Sequence, residues 1–108
     1  MAILAVQKVS QTGLAPAYLA ADVAGDEWTN GGRSMLHVKN GSAAAVTVTI
    51  DSVKSCDQGF DHDVQVSVPA GSERLIGPFE PRRFNNASGR CKASYSAVAS
   101  VTVAALEV

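Results

Sequence analysis

The sequence is poor in the residues that build disulfide frameworks and strongly charged interfaces. Its 108 residues contain two cysteines, Cys56 and Cys91, which are too few for a disulfide framework. The sequence leaves a single bridge between them open, although two small buried thiols are the simpler expectation. Ten acidic and nine basic residues give a net charge of −1, which creates no long-range field for nucleic acid or an anionic membrane. We therefore expect neither as a partner.

Long apolar runs are also missing. No segment approaches the roughly 20 apolar residues of a membrane span. Residues 1–8 lack a basic leader followed by a long apolar run and a cleavage site. Both absences predict synthesis and folding in a cytoplasm.

Alternation of apolar and polar residues is the main pattern that is present. The run Val46–Ile50 alternates valine with threonine, which is typical of a half-buried strand because successive side chains point to opposite faces. Similar runs occupy residues 2–10, 34–39, 64–68, 73–77, 91–96 and 98–108. Seven or eight short strands separated by turn signals predict an all-β, antiparallel β-sandwich. Its connectivity could be that of a jelly roll or an immunoglobulin-like fold.

The chain length is that of one domain, so we expect a single sandwich over residues 1–108. Residues 1–12 are a possible edge strand or arm. Asn40-Gly41 lies between two apolar runs and predicts a tight hairpin, although the alanine run at residues 43–45 could instead lengthen that connection. Residues 26–32 predict a polar loop that carries Trp28, where an exposed ring would serve as an interface anchor.

Polar clusters that could carry chemistry are few. Asp57, Asp61 and Asp63 surround His62 and could bind Ca²⁺ or a transition metal, but their spacing matches no EF-hand and a solvated loop is the simpler interpretation. A cysteine–histidine nucleophile would need Cys56 or Cys91 beside His37 or His62. There is no Gly-x-Ser-x-Gly elbow, phosphate-binding glycine loop or zinc-type cysteine pair. We expect no catalytic residue, no metal and no cofactor, and we therefore expect that the protein is not an enzyme.

A turn-and-strand pattern recurs in residues 25–33, 36–42, 46–50, 66–71, 77–79, 84–85, 95–96 and 101–103. Through this pattern, rather than through a catalytic motif, residues 13–108 resemble small structural proteins of tailed bacteriophages and prophages.

This resemblance implies a capsid decoration (cement) protein of the virion's outer capsid surface, made in the host bacterial cytoplasm. Its partner would be the major capsid protein, and it would form a homo-oligomer, with a trimer favoured. Trp28, Arg82 and Arg83 are candidate interface residues. One alternative is a neck, head-completion or other ring-forming virion protein, and another is a carbohydrate- or Ca²⁺-binding sandwich module.

Overall fold

Two β-sheets packed face to face make up the computed structural model, which describes residues 2–53 and 63–108. Ten strands and one short helix lie in these residues. They are β1 Ala2–Leu4, β2 Val6–Lys8, β3 Leu19–Ala20, β4 Asp26–Thr29, β5 Ser34–Asn40, β6 Val46–Ile50, β7 Val64–Val68, β8 Glu73–Ile76, α1 Pro81–Phe84, β9 Arg90–Tyr95 and β10 Val101–Glu107. In these ranges no helix has both the length and the apolar character that crossing a membrane requires.

The strands divide between a first sheet of order β1-β4-β9-β6-β7 and a second sheet of order β2-β10-β5-β8. The two-residue strand β3 also pairs with β10, so β2 and β3 share one edge of the second sheet. The predicted β-sandwich is confirmed. The prediction of purely antiparallel sheets with seven or eight strands is corrected, because the pairs β1–β4 and β2–β10 are parallel and the described residues form ten strands. The chain passes from the first sheet to the second at Ala5, between β1 and β2.

The core follows the predicted alternation. In β6, Val46, Val48 and Ile50 are buried, while the threonines between them are partly buried. In β5, Leu36 and Val38 are fully buried, which leaves the neighbouring side chains on the opposite face of the second sheet.

The predicted hairpin at Asn40-Gly41 is wrong, because β5 and β6 belong to different sheets. The Asn40 amide nitrogen donates to the Ala44 carbonyl at 2.8 Å and the Val68 carbonyl at 3.0 Å. Its Oδ1 accepts a hydrogen bond from Ser42 Oγ at 2.6 Å. Asn40 therefore serves as a buried anchor for a connection that crosses between the sheets.

The expectation for Trp28 is also wrong. Trp28 lies in β4 and is 0% exposed, so it cannot serve as an exposed interface anchor. Its indole nitrogen donates to Ser34 Oγ at 2.9 Å, and its ring lies 5.7 Å from that of Phe79. The polar neighbours that suggested a loop include Asp26 and Asn30, which are themselves buried.

Candidate functional site

Three side chains from separate parts of the chain form a hydrogen-bonded chain on the outer face of the second sheet. The Tyr18 hydroxyl lies 2.7 Å from His37 Nδ1, and His37 Nε2 lies 2.9 Å from Glu73 Oε1. We call these residues the Tyr–His–Glu cluster. The His37 side chain is 11% exposed and that of Glu73 is 58% exposed, so the imidazole is shielded while the carboxylate reaches solvent.

The strand pattern explains how the cluster forms. His37 alternates with the buried Leu36 and Val38, so it projects away from the core. It pairs in register with Ala104 of β10, whose small side chain limits crowding on this face. Glu73 opens β8 opposite Lys39, two positions along β5 from His37, which puts its carboxylate within reach of the imidazole.

Tyr18 is held over this face by ring contacts as well as by its hydroxyl. The Tyr18 and His37 ring centroids are 5.3 Å apart in an edge-to-face arrangement, which the quadrupoles of aromatic rings favour. The Lys39 ammonium lies 4.0 Å from the centroid of the Tyr18 ring, a cation–π contact.

The backbone beside Tyr18 is fixed by a side-chain amide. Gln7 Nε2 donates to the Ala17 carbonyl at 2.8 Å, and the Ala17 N–H donates to Gln7 Oε1 at 2.9 Å. The amide thus supplies both bonds that a neighbouring strand would supply. The backbone of Ala17, the residue before Tyr18, is therefore fixed, while Tyr18 itself is held through its ring and its hydroxyl.

A neutral imidazole protonated on Nε2 satisfies all three members of the cluster. In that tautomer Nε2–H donates to Glu73, while Nδ1 accepts the hydrogen bond that the Tyr18 hydroxyl donates. The arrangement places the His37 imidazole, a base, beside the Tyr18 phenol, and the Glu73 carboxylate is bonded to the other imidazole nitrogen. Chemically, it can take the phenolic proton from Tyr18 when the oxygen forms a new bond.

A groove of about 320 Å³ lies along the same edge of the second sheet. It is lined by Leu4, Ala5, Gln7, Ala17, Leu19, Val103, Ala104 and Ala105. Apart from Gln7, whose amide is already bonded to Ala17, these residues carry apolar side chains, so the groove offers mainly hydrophobic contact.

Arg82 and Arg83 lie on α1 and are exposed. The Arg83 guanidinium lies 4.8 Å from the centroid of the Phe84 ring. The buried Phe84 side chain anchors the helix in the core. The two arginines therefore present positive charge from a fixed element, and their role as interface residues stays a prediction.

The predicted metal cluster lies largely outside the described residues, as Asp57, Asp61 and His62 do. Asp63 is described, and its Oδ1 accepts a hydrogen bond from the Ser52 N–H at 2.8 Å. Within residues 2–53 and 63–108, no three histidine, cysteine, aspartate or glutamate side chains are grouped to hold a metal ion.

Cys91 is a buried free thiol in β9, and Cys56 lies outside the described residues. Cys91 Sγ lies 3.7 Å from Asn85 Oδ1. Burial raises the pKa of the Cys91 thiol to about 12, so it stays protonated at neutral pH. The expectation of a small buried thiol is confirmed for Cys91.

The alternation of residues 34–39 assigns His37 to the face opposite Leu36 and Val38, but nothing in the sequence identifies Tyr18 and Glu73 as its partners. Tyr18 precedes His37 by 19 residues, and Glu73 follows it by 36. Alternation assigns a face to each side chain, but the register that brings β8 against β5 depends on long-range packing. The available signal for the cluster was a histidine at an outward-facing position of a strand with clear apolar alternation.

No protein-family model, curated protein or solved structure matches this chain.

Proposed function

We propose that this protein is a structural component of a tailed-phage virion, a capsid decoration (cement) protein that binds the assembled head lattice and stabilises it. The resemblance of residues 13–108 to such proteins supports the proposal, and so does the β-sandwich. A cement protein gains avidity because identical contacts repeat over a symmetric lattice. It would act as a homo-oligomer, with a trimer favoured.

The observation that carries the proposal is a set of exposed apolar side chains in the N-terminal quarter of the chain. Ile3 is 58% exposed, Leu19 is 55% exposed and Val23 is 84% exposed. The Ala2 N–H donates to the Gly25 carbonyl at 3.3 Å, which ties β1 to the segment that carries Val23. We call Ile3, Leu19 and Val23 the N-terminal apolar patch.

Ile3 lies on the edge strand β1 of the first sheet, Leu19 lies on β3 at the edge of the second sheet, and Val23 lies in the connection between β3 and β4. In the described part of the chain, β1 pairs with β4 on one side and no strand covers its other side. An uncovered edge can accept a strand from a partner, and apolar neighbours add affinity to those backbone hydrogen bonds. We place the contact with the major capsid protein here, with Arg82 and Arg83 as candidate polar contacts.

The decisive measurement is the copy number of this chain in purified particles relative to the major capsid protein. Hundreds of copies per particle are expected for a protein that decorates the lattice. About a dozen copies would instead identify a neck, head-completion or other ring protein. Absence from particles would refute a virion role.

Lysine variants locate the contact. Ile3→Lys and Val23→Lys should each lower occupancy on particles at least about tenfold, since a buried lysine must lose its hydration. Leu75→Lys is the matched control, because Leu75 is 60% exposed but lies on β8 at the far edge of the second sheet. Equal loss in all three variants, or in Leu75→Lys alone, would refute the placement at the N-terminal apolar patch.

A further inference from the structure

We propose that Tyr18 is a nucleophilic modification site that takes an acyl group from an activated carboxylic ester. His37 acts as the general base and Glu73 positions the imidazole. This reactivity is independent of the proposed virion role.

The geometry meets the requirements of base-assisted nucleophilic attack. The oxygen-to-nitrogen distance from Tyr18 to His37 is 2.7 Å, and His37 is oriented by Glu73 at 2.9 Å. A nucleophile within hydrogen-bond reach of a base, with the base held by a third group, is the arrangement found in activated hydroxyl nucleophiles. Tyr18 is partly exposed, and the proposal requires that a small ester reach its oxygen from solvent.

The reaction balances without an outside oxidant or reductant. The Tyr18 oxygen forms a bond to the acyl carbon while its proton passes to His37 Nδ1. The bond between the acyl carbon and the ester oxygen then breaks, and the proton on Nδ1 passes to the leaving alkoxide or phenoxide, directly or through water. Glu73 accepts the Nε2–H bond throughout and stabilises the transient imidazolium. The products are O-acyl-tyrosine and a free alcohol or phenol.

Tyr95, the second tyrosine of the sequence, is a built-in comparison. Its hydroxyl donates to Oδ2 of the buried Asp26 at 2.7 Å. Burial, together with that bond, raises the pKa of Tyr95, so its phenol holds its proton. A carboxylate contact in the core thus makes one tyrosine less reactive, while an imidazole contact near the surface activates the other.

The probe is p-nitrophenyl acetate, with acetylated tyrosines mapped by peptide mass spectrometry over time. Since general bases contribute about 10²–10⁴-fold, we expect Tyr18 to be acetylated at least about tenfold faster than Tyr95 and than N-acetyltyrosinamide in the same buffer. The rate at Tyr18 should reach a plateau below about pH 10, because a base that has already lost its proton gains nothing from a further rise in pH. An unassisted phenol would keep gaining rate up to about pH 10.

Two variants test whether the rate at Tyr18 depends on base assistance by His37 or only on the solvent exposure of Tyr18. Glu73→Gln keeps an acceptor for Nε2–H but removes the charge, at a side chain that is 58% exposed. It should lower the Tyr18 rate at least about threefold and shift the pH profile. Glu80→Gln is the matched control, because Glu80 is exposed and makes no capping hydrogen bond to α1, and its rate should equal the parent's.

Three results would overturn the proposal. They are a Tyr18 rate no higher than that of N-acetyltyrosinamide, a profile that rises to about pH 10 as for a free phenol, or equal rates in Glu73→Gln and the parent.

Discussion

Gly25 meets two conditions at once that exclude a side chain. Its φ is +95°, in the left-handed region, and a Cβ atom built on it would lie 2.7 Å from the Ala93 carbonyl oxygen. The oxygen belongs to the backbone of β9, so it cannot move aside as a flexible side chain could. The close approach lets β4 begin directly beside β9.

Gly25→Ala should therefore destabilise the protein by more than about 2 kcal/mol, since left-handed strain alone costs about 1–2 kcal/mol. Gly13→Ala is the matched control, because Gly13 has the same φ of +95° with nothing within 4 Å of the added Cβ. It should lose about 1 kcal/mol, the strain without the collision. Urea unfolding of both variants measures the difference. Equal losses would show that the contact with Ala93 is not what fixes glycine at position 25.

At the scale of elements, Asn40 links three parts of the fold through one side chain. Asn40→Asp has nearly the same shape but cannot donate to the carbonyls of Ala44 and Val68, which Asn40 reaches at 2.8 and 3.0 Å. Because Asn40 is buried, we expect a loss of about 2–4 kcal/mol in the free energy of unfolding.

Ser42→Ala provides the comparison for Asn40→Asp. It removes the bond from Ser42 Oγ to Asn40 Oδ1 and the contacts of that hydroxyl with the Ala44 backbone but leaves both donations by Asn40 in place. Chemical denaturation should give a loss of about 1 kcal/mol for this variant. If Asn40→Asp were no more destabilising than Ser42→Ala, the donor bonds across the sheets would contribute little.

Elements whose alternation matches the core were predictable, and those held by remote polar partners were not. Strands β6 and β7 occupy residues 46–50 and 64–68, as the valine spacing predicts. Strand β4 looked like a loop because its surroundings are polar. Asp26 is bonded to Tyr95, and Asn30 donates to Asn85 Oδ1 at 2.8 Å. A sequence shows polar residues but does not show that partners about 55–70 residues away satisfy them.

The sequence also did not predict which of the two sheets each strand joins. Alternation in β5 and β6 correctly separates inward from outward side chains, but it does not say which sheet a strand joins. The Tyr–His–Glu cluster was missed for the same reason, since it needs the register between β5 and β8 and the path of the segment that carries Tyr18. Face assignments follow from local chemistry, whereas neighbours follow from the global packing.

For the whole molecule, two weak acids in β9 stay protonated because the fold surrounds them. Burial raises the pKa of Cys91 from 9.0 to about 12. Burial also raises the pKa of Tyr95 above its ordinary value of 10.0. Both groups keep their protons in the folded state at pH values where the unfolded chain loses them. The folded state therefore binds more protons in this range, and raising the pH shifts the equilibrium toward the unfolded chain.

The free energy of unfolding should consequently fall as the pH rises above 9. The unfolded chain binds fewer protons than the folded one in this range, so the slope is negative, about 1.4 kcal/mol per pH unit for each group between its two pKa values. The Cys91 contribution is complete below pH 9 and is lost progressively up to about pH 12. Tyr95 adds to the slope above about pH 10. Urea unfolding from pH 7 to 11 measures the curve, and Cys91→Ala should flatten it between pH 9 and 10 and leave only the shallower fall due to Tyr95 above pH 10. An unchanged slope in Cys91→Ala would mean that the Cys91 thiol ionises in the folded protein near its ordinary pKa, and that the shielding of β9 by the two sheets is incomplete.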